Sequence, residues 1–270
     1  SEPMGANLDV LISSYKKNFH GTVSFIKVDS LSGRLSIAFQ LMLPPVDFDL
    51  SHAGKGPSHD WFFFSCYNTE QAHTLLEVNA SQRDKDFIMA VNWKKAAEYA
   101  KQGKGIIKKV VYAHNVYDEK THTATSTIEK EVLVMDPKDL KDVVYFIPCP
   151  KSPHGCDVDP TGEYIVGSGK LAALIPVFSF SKLQKAIADK NYEGDYEGIP
   201  VIKYEAALYG EVKKPGLGPL HTEFDGRGNA YTSFFISSEV VKWSLKDLKV
   251  LDRVPTYYSV GHLSIPGGDT

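Results

Sequence analysis

Cysteine is scarce: Cys66, Cys149 and Cys156 are the only three in 270 residues, and no two form a Cys-x-x-Cys pair. That excludes a disulfide framework and a thiolate zinc site. Cys149 and Cys156 flank a turn where a bridge could close, but reduced, buried thiols are the expectation. Long apolar runs are missing too. Apolar stretches such as residues 61–64 and 175–178 fall far short of the ~20 residues of a membrane-spanning helix, which predicts no membrane span. There is no basic excess: 30 Lys+Arg stand against 33 Asp+Glu, a formal net charge of -3, which argues against nucleic acid as a partner. The chain also has no initiator Met and no charged-then-apolar leader, so its start does not reveal the compartment. Its last residues, 261–270, stop inside what reads as a strand-and-turn unit, and the chain reads as a fragment.

What the sequence has in quantity is short β-branched and aromatic runs. They fall at 22–26, 35–40, 61–65, 87–91, 106–112, 143–147, 164–167, 174–180, 201–204, 230–235 and 239–243, with turn residues between them. This density predicts an all-β fold of the sandwich, barrel or propeller kind. Helical patterns are few. Asn92 is a candidate N-cap for residues 92–101, Asp136-Pro137 is a cap followed by Pro at the first helical position, and residues 181–189 have amphipathic spacing. Residues 51–57 and 192–200 read as loops, and no shift in composition marks a domain boundary.

An internal echo organises the second half. His154-Gly-Cys-Asp-Val-Asp159-Pro-Thr-Gly162-Glu-Tyr164 and His221-Thr-Glu-Phe-Asp225-Gly-Arg-Gly228-Asn-Ala-Tyr231 both run from a His through a short β stretch to an Asp-x-x-Gly turn and a second strand. Asp bonds its own backbone onward and Gly adopts positive φ at no steric cost, so each echo predicts one hairpin. His262, after Gly261, begins what looks like a third. Repeated hairpins of this size predict propeller blades.

In a propeller the innermost strand of each blade runs beside the central channel, so His154, His221 and His262 are expected to converge on one point. A set made only of imidazoles suits copper or zinc. A lone histidine at the start of a strand is usually a satisfied hydrogen-bonding side chain; repetition is what lifts these three above that reading. His20, His52, His59, His73, His114 and His122 sit in unrelated contexts. His52 and His59 lie in a Gly/Ser/Pro-rich stretch where metal ligation is conceivable, but nothing echoes them.

Several of these residues together resemble the nitrous oxide reductase family: Ser152-Pro-His-Gly155, Gly169-Lys-Leu171, Gly216-Leu-Gly-Pro-Leu-His-Thr222, Asp225-Gly-Arg-Gly-Asn-Ala-Tyr231, Val241-Lys-Trp243 and Gly261-His262. Cys66-Tyr-Asn-Thr-Glu70 and Val78-Asn-Ala80 add to the likeness, which runs in order from about residue 41 to the C-terminus. Leu76-Glu-Val-Asn-Ala-Ser-Gln82 is closer to the family's atypical branch.

The resemblance implies a periplasmic homodimer in which a seven-bladed propeller holds a four-copper sulfide-bridged cluster on seven histidines. A C-terminal cupredoxin domain would carry a binuclear copper electron-entry centre. Residues 1–270 would be a partial propeller, without the remaining N-terminal blades and the cupredoxin domain. Residue by residue, the resemblance implies that His154, His221 and His262 are cluster ligands. Lys242 would stand near the cluster edge as a catalytic cation, although a lysine before Trp243 reads equally as a solvated strand residue. Tyr67, Glu70, Val78 through its carbonyl, and Asp84 would hold calcium, whose hard charge suits oxygen donors. Where the family supplies one more oxygen from an Asn, this chain has Ser152.

The implied reaction is reduction of N₂O, with two electrons and two protons, to N₂ and water. The electrons would come from a periplasmic cytochrome or cupredoxin by way of the partner subunit, so the fragment alone is expected to be inactive. Two other readings stand beside it: a non-catalytic, metal-stapled propeller used as a binding module, and a propeller hydrolase or lyase with one metal in its channel.

Overall fold

The computed structural model describes residues 21–69, 72, 74, 86–118 and 120–265. In chain order the strands are β1 (Gly21–Val28), β2 (Leu35–Leu43), β3 (Asp47–Ala53), β4 (Trp61–Tyr67), β5 (Phe87–Asn92), β6 (Ile106–Asp118), β7 (Thr123–Met135), β8 (Val144–Pro148) and β9 (Pro153–Val158). They continue as β10 (Tyr164–Gly169), β11 (Leu174–Ser179), β12 (Tyr192–Tyr196), β13 (Ile199–Ile202), β14 (Leu208–Lys213), β15 (Pro219–Phe224), β16 (Asn229–Phe234), β17 (Glu239–Ser244) and β18 (Val250–Pro255). Three short helices, α1 (Trp93–Lys101), α2 (Phe180–Ala188) and α3 (Tyr204–Ala207), decorate the strands.

The strands form four sheets, ordered β1-β2-β7-β6, β12-β13-β8-β5-β4-β3, β14-β11-β10-β9 and β15-β16-β17-β18. The fold is therefore all-β, as the sequence predicts. The last three sheets are arranged as propeller blades: β3, β9 and β15 are first strands of successive sheets, and β9 runs alongside both of the others. Apolar side chains fill the spaces between sheets. Phe39 and Leu41 meet Phe87 and Phe146, Trp61 and Phe63 meet Ile165 and Phe178, and Val166 and Val177 meet Phe234 and Trp243.

Local chemistry accounts for the helices. The Asn92 side chain caps α1 by accepting from the Lys95 amide at 2.9 Å. Ser179 caps α2 through the Lys182 amide at 3.1 Å, so the helix begins at Phe180, one residue before the sequence pattern. The Asp136 side chain accepts from the Lys138 amide at 3.1 Å, ahead of a 3₁₀ turn opened by Pro137. Two stretches read as loops are partly strand: β3 runs into the first as far as Ala53, and β12 with β13 forms a hairpin in the second. Tyr204, read as a strand end, instead begins α3. All three cysteines are buried free thiols.

Both echoed hairpins form. The Asp159 carboxylate accepts from the Thr161 hydroxyl at 2.7 Å and the Tyr164 amide at 2.8 Å. Asp225 accepts from the Arg227 amide at 2.8 Å and the Asn229 side chain at 2.7 Å. The Asp159 amide donates to the Tyr164 carbonyl and the Asp225 amide to the Asn229 carbonyl. Tyr164 thus corresponds to Asn229 rather than Tyr231, because the second turn is one residue shorter. Among the described residues no helix is long and apolar enough to cross a membrane.

Candidate metal centre on the inner strands

Each inner strand carries one residue more than its neighbour. Phe48 pairs with Cys66 and Ser51 with Phe64, leaving Asp49 and Leu50 opposite Ser65. Pro153 pairs with Gly169 and Gly155 with Ser168, leaving His154 unmatched. Pro219 pairs with Phe234 and Thr222 with Thr232, leaving Leu220 and His221 opposite Ser233. Such bulges bend a strand and re-aim a side chain, and here they fall at Asp49, His154 and His221.

Serine hydroxyls stitch the bulges together. Ser65 Oγ accepts from the Leu50 amide at 2.9 Å and donates to the His154 carbonyl at 2.7 Å. Ser233 Oγ accepts from the His221 amide at 3.3 Å and donates to the Gly261 carbonyl. Gly155 lets β9 approach β15 closely, since a Cβ there would overlap the Leu220 carbonyl oxygen.

These bulges bring the predicted histidines together. His154 Nε2 lies 3.0 Å from His221 Nε2, with ring centroids 4.8 Å apart at 86°. The His262 ring lies over His221 at 4.1 Å and 31°. His154 and His221 are half-buried and His262 is exposed. His262 meets the pair by its ring face, and among the described residues no group of three or more His, Cys, Asp or Glu side chains converges as a metal site. The expected single meeting point is therefore seen as one facing pair with a third ring stacked on it.

The sequence reading missed the partners. Asp49 Oδ2 accepts from His154 Nδ1 at 2.7 Å and from Lys170 Nζ at 3.1 Å. Lys170 Nζ also lies 4.2 Å above the Tyr67 ring. Burial opposes the charge on Asp49, but the His154 hydrogen bond and the Lys170 ammonium outweigh it and hold the carboxyl below its ordinary value. Burial, with the two neighbouring imidazoles, depresses His221 below the usual imidazole value, against the pull of Asp157. Asp157 Oδ2 accepts from the Thr222 amide at 2.7 Å. His52, far from lying in a loop, stands on β3, where its Nδ1 accepts from the Val158 amide at 3.3 Å.

The donor chemistry fits a soft or borderline cation. Nδ1 of His154 is committed to Asp49, which leaves Nε2 as that ring's lone-pair donor. Two nitrogens on one tetrahedral ion at ~2.0 Å would stand about 3.3 Å apart, near the Nε2 separation found here. Lys242 is on β17, two strands out from β15, with its ammonium over the Tyr231 ring at 5.5 Å. Of the residues implied for calcium, Tyr67 ends β4, its phenol pushed up to about 12 by burial and by Asp49, Asp47 and Asp86. Glu70, Val78 and Asp84 lie outside the described residues. Ser152 is 2% exposed with φ of 52°; its amide donates to Asp86 Oδ2 at 2.6 Å, and its buried Oγ has no hydrogen-bond partner among the described residues.

No family model matches the chain. Among curated proteins it is 30% identical over 241 residues to the nitrous-oxide reductase of Stutzerimonas stutzeri, covering 85% of this chain and 33% of that protein. To the nitrous-oxide reductase of Pseudomonas fluorescens it is 32% identical over 214 residues, 79% of this chain and 29% of that protein. To that of Cupriavidus necator it is 36% identical over 146 residues, 50% of this chain and 21% of the relative. The chain thus spans about a third or less of the length of these relatives. Similar solved structures include Kuenenia stuttgartiensis hydrazine synthase, with a TM-score of 0.49 and 13% identity over 84% of this chain and 52% of that one. Another is the Pseudomonas aeruginosa periplasmic gluconolactonase PpgL, with a TM-score of 0.46 and 14% identity over 93% of this chain and 52% of that one.

Proposed function

This chain is related in sequence to the nitrous-oxide reductases, and from that premise we propose that it is the part of such an enzyme's propeller that supplies His154, His221 and His262 to a four-copper sulfide cluster reducing N₂O to N₂ and water. The observation that carries the reading is the facing Nε2 atoms of His154 and His221, 3.0 Å apart, on inner strands of successive sheets. When bound, copper would supply electrons to an inert substrate and accept its oxygen.

The chain's own residues have separable tasks in this reading. Asp49 orients His154 by accepting from its Nδ1. Burial favours the uncharged form of His221, which is the form that binds a metal. Lys242 would be the cation that steadies developing negative charge. Calcium would be held by Tyr67, Glu70, the Val78 carbonyl and Asp84. Ser152 Oγ, buried without a partner among the described residues, supports serine as the remaining oxygen donor, since buried hydroxyls are ordinarily satisfied. The remaining blades, the cupredoxin domain with its binuclear copper, a homodimeric assembly, a periplasmic location and a cytochrome or cupredoxin donor all belong to the same proposal.

The test is copper binding by the chain, followed by metal analysis and chelator competition. The expected result is copper uptake that falls at least tenfold in His154→Ala and again in His221→Ala. Uptake unchanged in the double variant would overturn the assignment and favour a metal-stapled binding module.

A further inference from the structure

We propose that Lys170 positions His154: its ammonium holds the Asp49 carboxylate against His154 Nδ1 and so keeps Nε2 as the lone-pair atom facing His221. One oxygen, Asp49 Oδ2, receives both groups, at 2.7 Å from His154 Nδ1 and 3.1 Å from Lys170 Nζ. A carboxylate bonded only to an imidazole is free to swing about its side-chain torsions. A second, charged donor on the same oxygen removes that freedom, and charge-assisted bonds are the stronger kind.

Lys170 is itself fixed on several sides. Its amide donates to the Ser152 carbonyl at 3.0 Å, two residues before His154. Its ammonium caps the Tyr67 ring at 4.2 Å, and its side chain is only 19% exposed. Gly169 permits this, because a Cβ there would overlap the Pro150 carbonyl oxygen. Lys170 therefore gathers β3, the end of β4 and the approach to β9 around one carboxylate. A surface ion pair contributes little; this one sits among fixed partners and bears on the tautomer of a candidate ligand. The assignment takes its purpose from the copper reading, but its geometry stands without it.

The experiment is nitrogen-15 NMR of the metal-free chain labelled at histidine, read beside copper(I) affinity by chelator competition. In the parent chain His154 is expected as a single Nδ1–H tautomer. In Lys170→Met, of similar length but uncharged, the Nε2–H form should appear and copper affinity should fall about tenfold. Lys170→Arg should restore the single tautomer, and an unchanged signal from His59, which bonds to Asp60 away from the pair, with an unchanged unfolding midpoint, would show that the variants are folded. A single Nδ1–H tautomer retained in Lys170→Met overturns the proposal. Scrambling in Lys170→Met with no copper uptake by the parent chain would leave the Lys170 assignment standing while sinking the copper reading.

Discussion

The His154 hairpin and the His221 hairpin repeat one backbone plan and hold their histidines by different means. His154 is gripped from outside its sheet, by Asp49 at 2.7 Å. His221 has burial and two neighbouring imidazoles, and the carboxylate that comes from the preceding sheet, Asp157, bonds to the Thr222 amide beside it. Their interiors differ in a compensating way. Ile165 of the first hairpin pairs with Phe178 on the next strand, β11, and Ala230 of the second pairs with Trp243 on β17, all four fully buried. The plan is conserved by volume and turn chemistry, while the polar partner of each imidazole is chosen locally.

The sharpest way to break this comparison is at the interior pairs. Trp243→Ala should cost about 3–5 kcal/mol in denaturant unfolding. Trp243→Phe should cost about 2 kcal/mol, and adding Ala230→Ile should regain part of it by rebuilding the pair found in the first hairpin. A second substitution that worsens stability would show that the two interiors are not equivalent.

The turns come next. Asp159 is 2% exposed and accepts three hydrogen bonds, so Asp159→Ala should cost about 2 kcal/mol. The more exposed Asp225→Ala should cost less than half of that, read as a smaller fall in melting temperature.

A pH series separates the histidines' surroundings. Folding holds His221 below the ordinary imidazole value of 6.5, so the unfolded chain binds more protons just below that pH. Stability should therefore be full above about pH 6.5 and be lost as pH falls towards the lowered value. His221→Asn should remove this phase. Asp49, also lowered from the ordinary carboxyl value of 3.8, contributes stability that is present above that value and disappears as pH falls through the folded one, and Asp49→Asn should remove that separate acid phase. The smallest effect is at Tyr67. Its ionisation, followed by ultraviolet absorbance, should have a midpoint at about 12 and shift modestly downward in Asp49→Asn, which removes one of the charges that raise it.

Much of the fold is legible in the sequence because it is local. β-branched runs mark the strands, Asp-x-x-Gly marks both hairpins, and Asn92 and Asp136 mark caps. Strand β3 is missed because Asp47-Phe-Asp-Leu-Ser-His-Ala53 is rich in turn-forming residues and owes its extended form to β4 beside it and β9 against it. The repeated histidines signal which side chains come together on the inner strands, yet their partners are invisible: Asp49 is 105 residues from His154 and 121 from Lys170. Lys170 lies in a stretch that resembles the nitrous oxide reductases, Gly169-Lys-Leu171, and that likeness is its only signal. The bulges leave no mark in residue type, because an extra residue shows only when the neighbouring strand is known.

Lys170 reaches back to Asp49, but the bonds between sheets that secure a histidine or its neighbour come from the sheet before: Ser65 and Asp49 secure His154, Asp157 secures Thr222 beside His221, and Ser233 reaches forward to Gly261 beside His262. Damage should therefore surface downstream of its origin. A mutational scan of such a ring would place the fault one blade early, with the ailing imidazole belonging to the neighbour that lost its support.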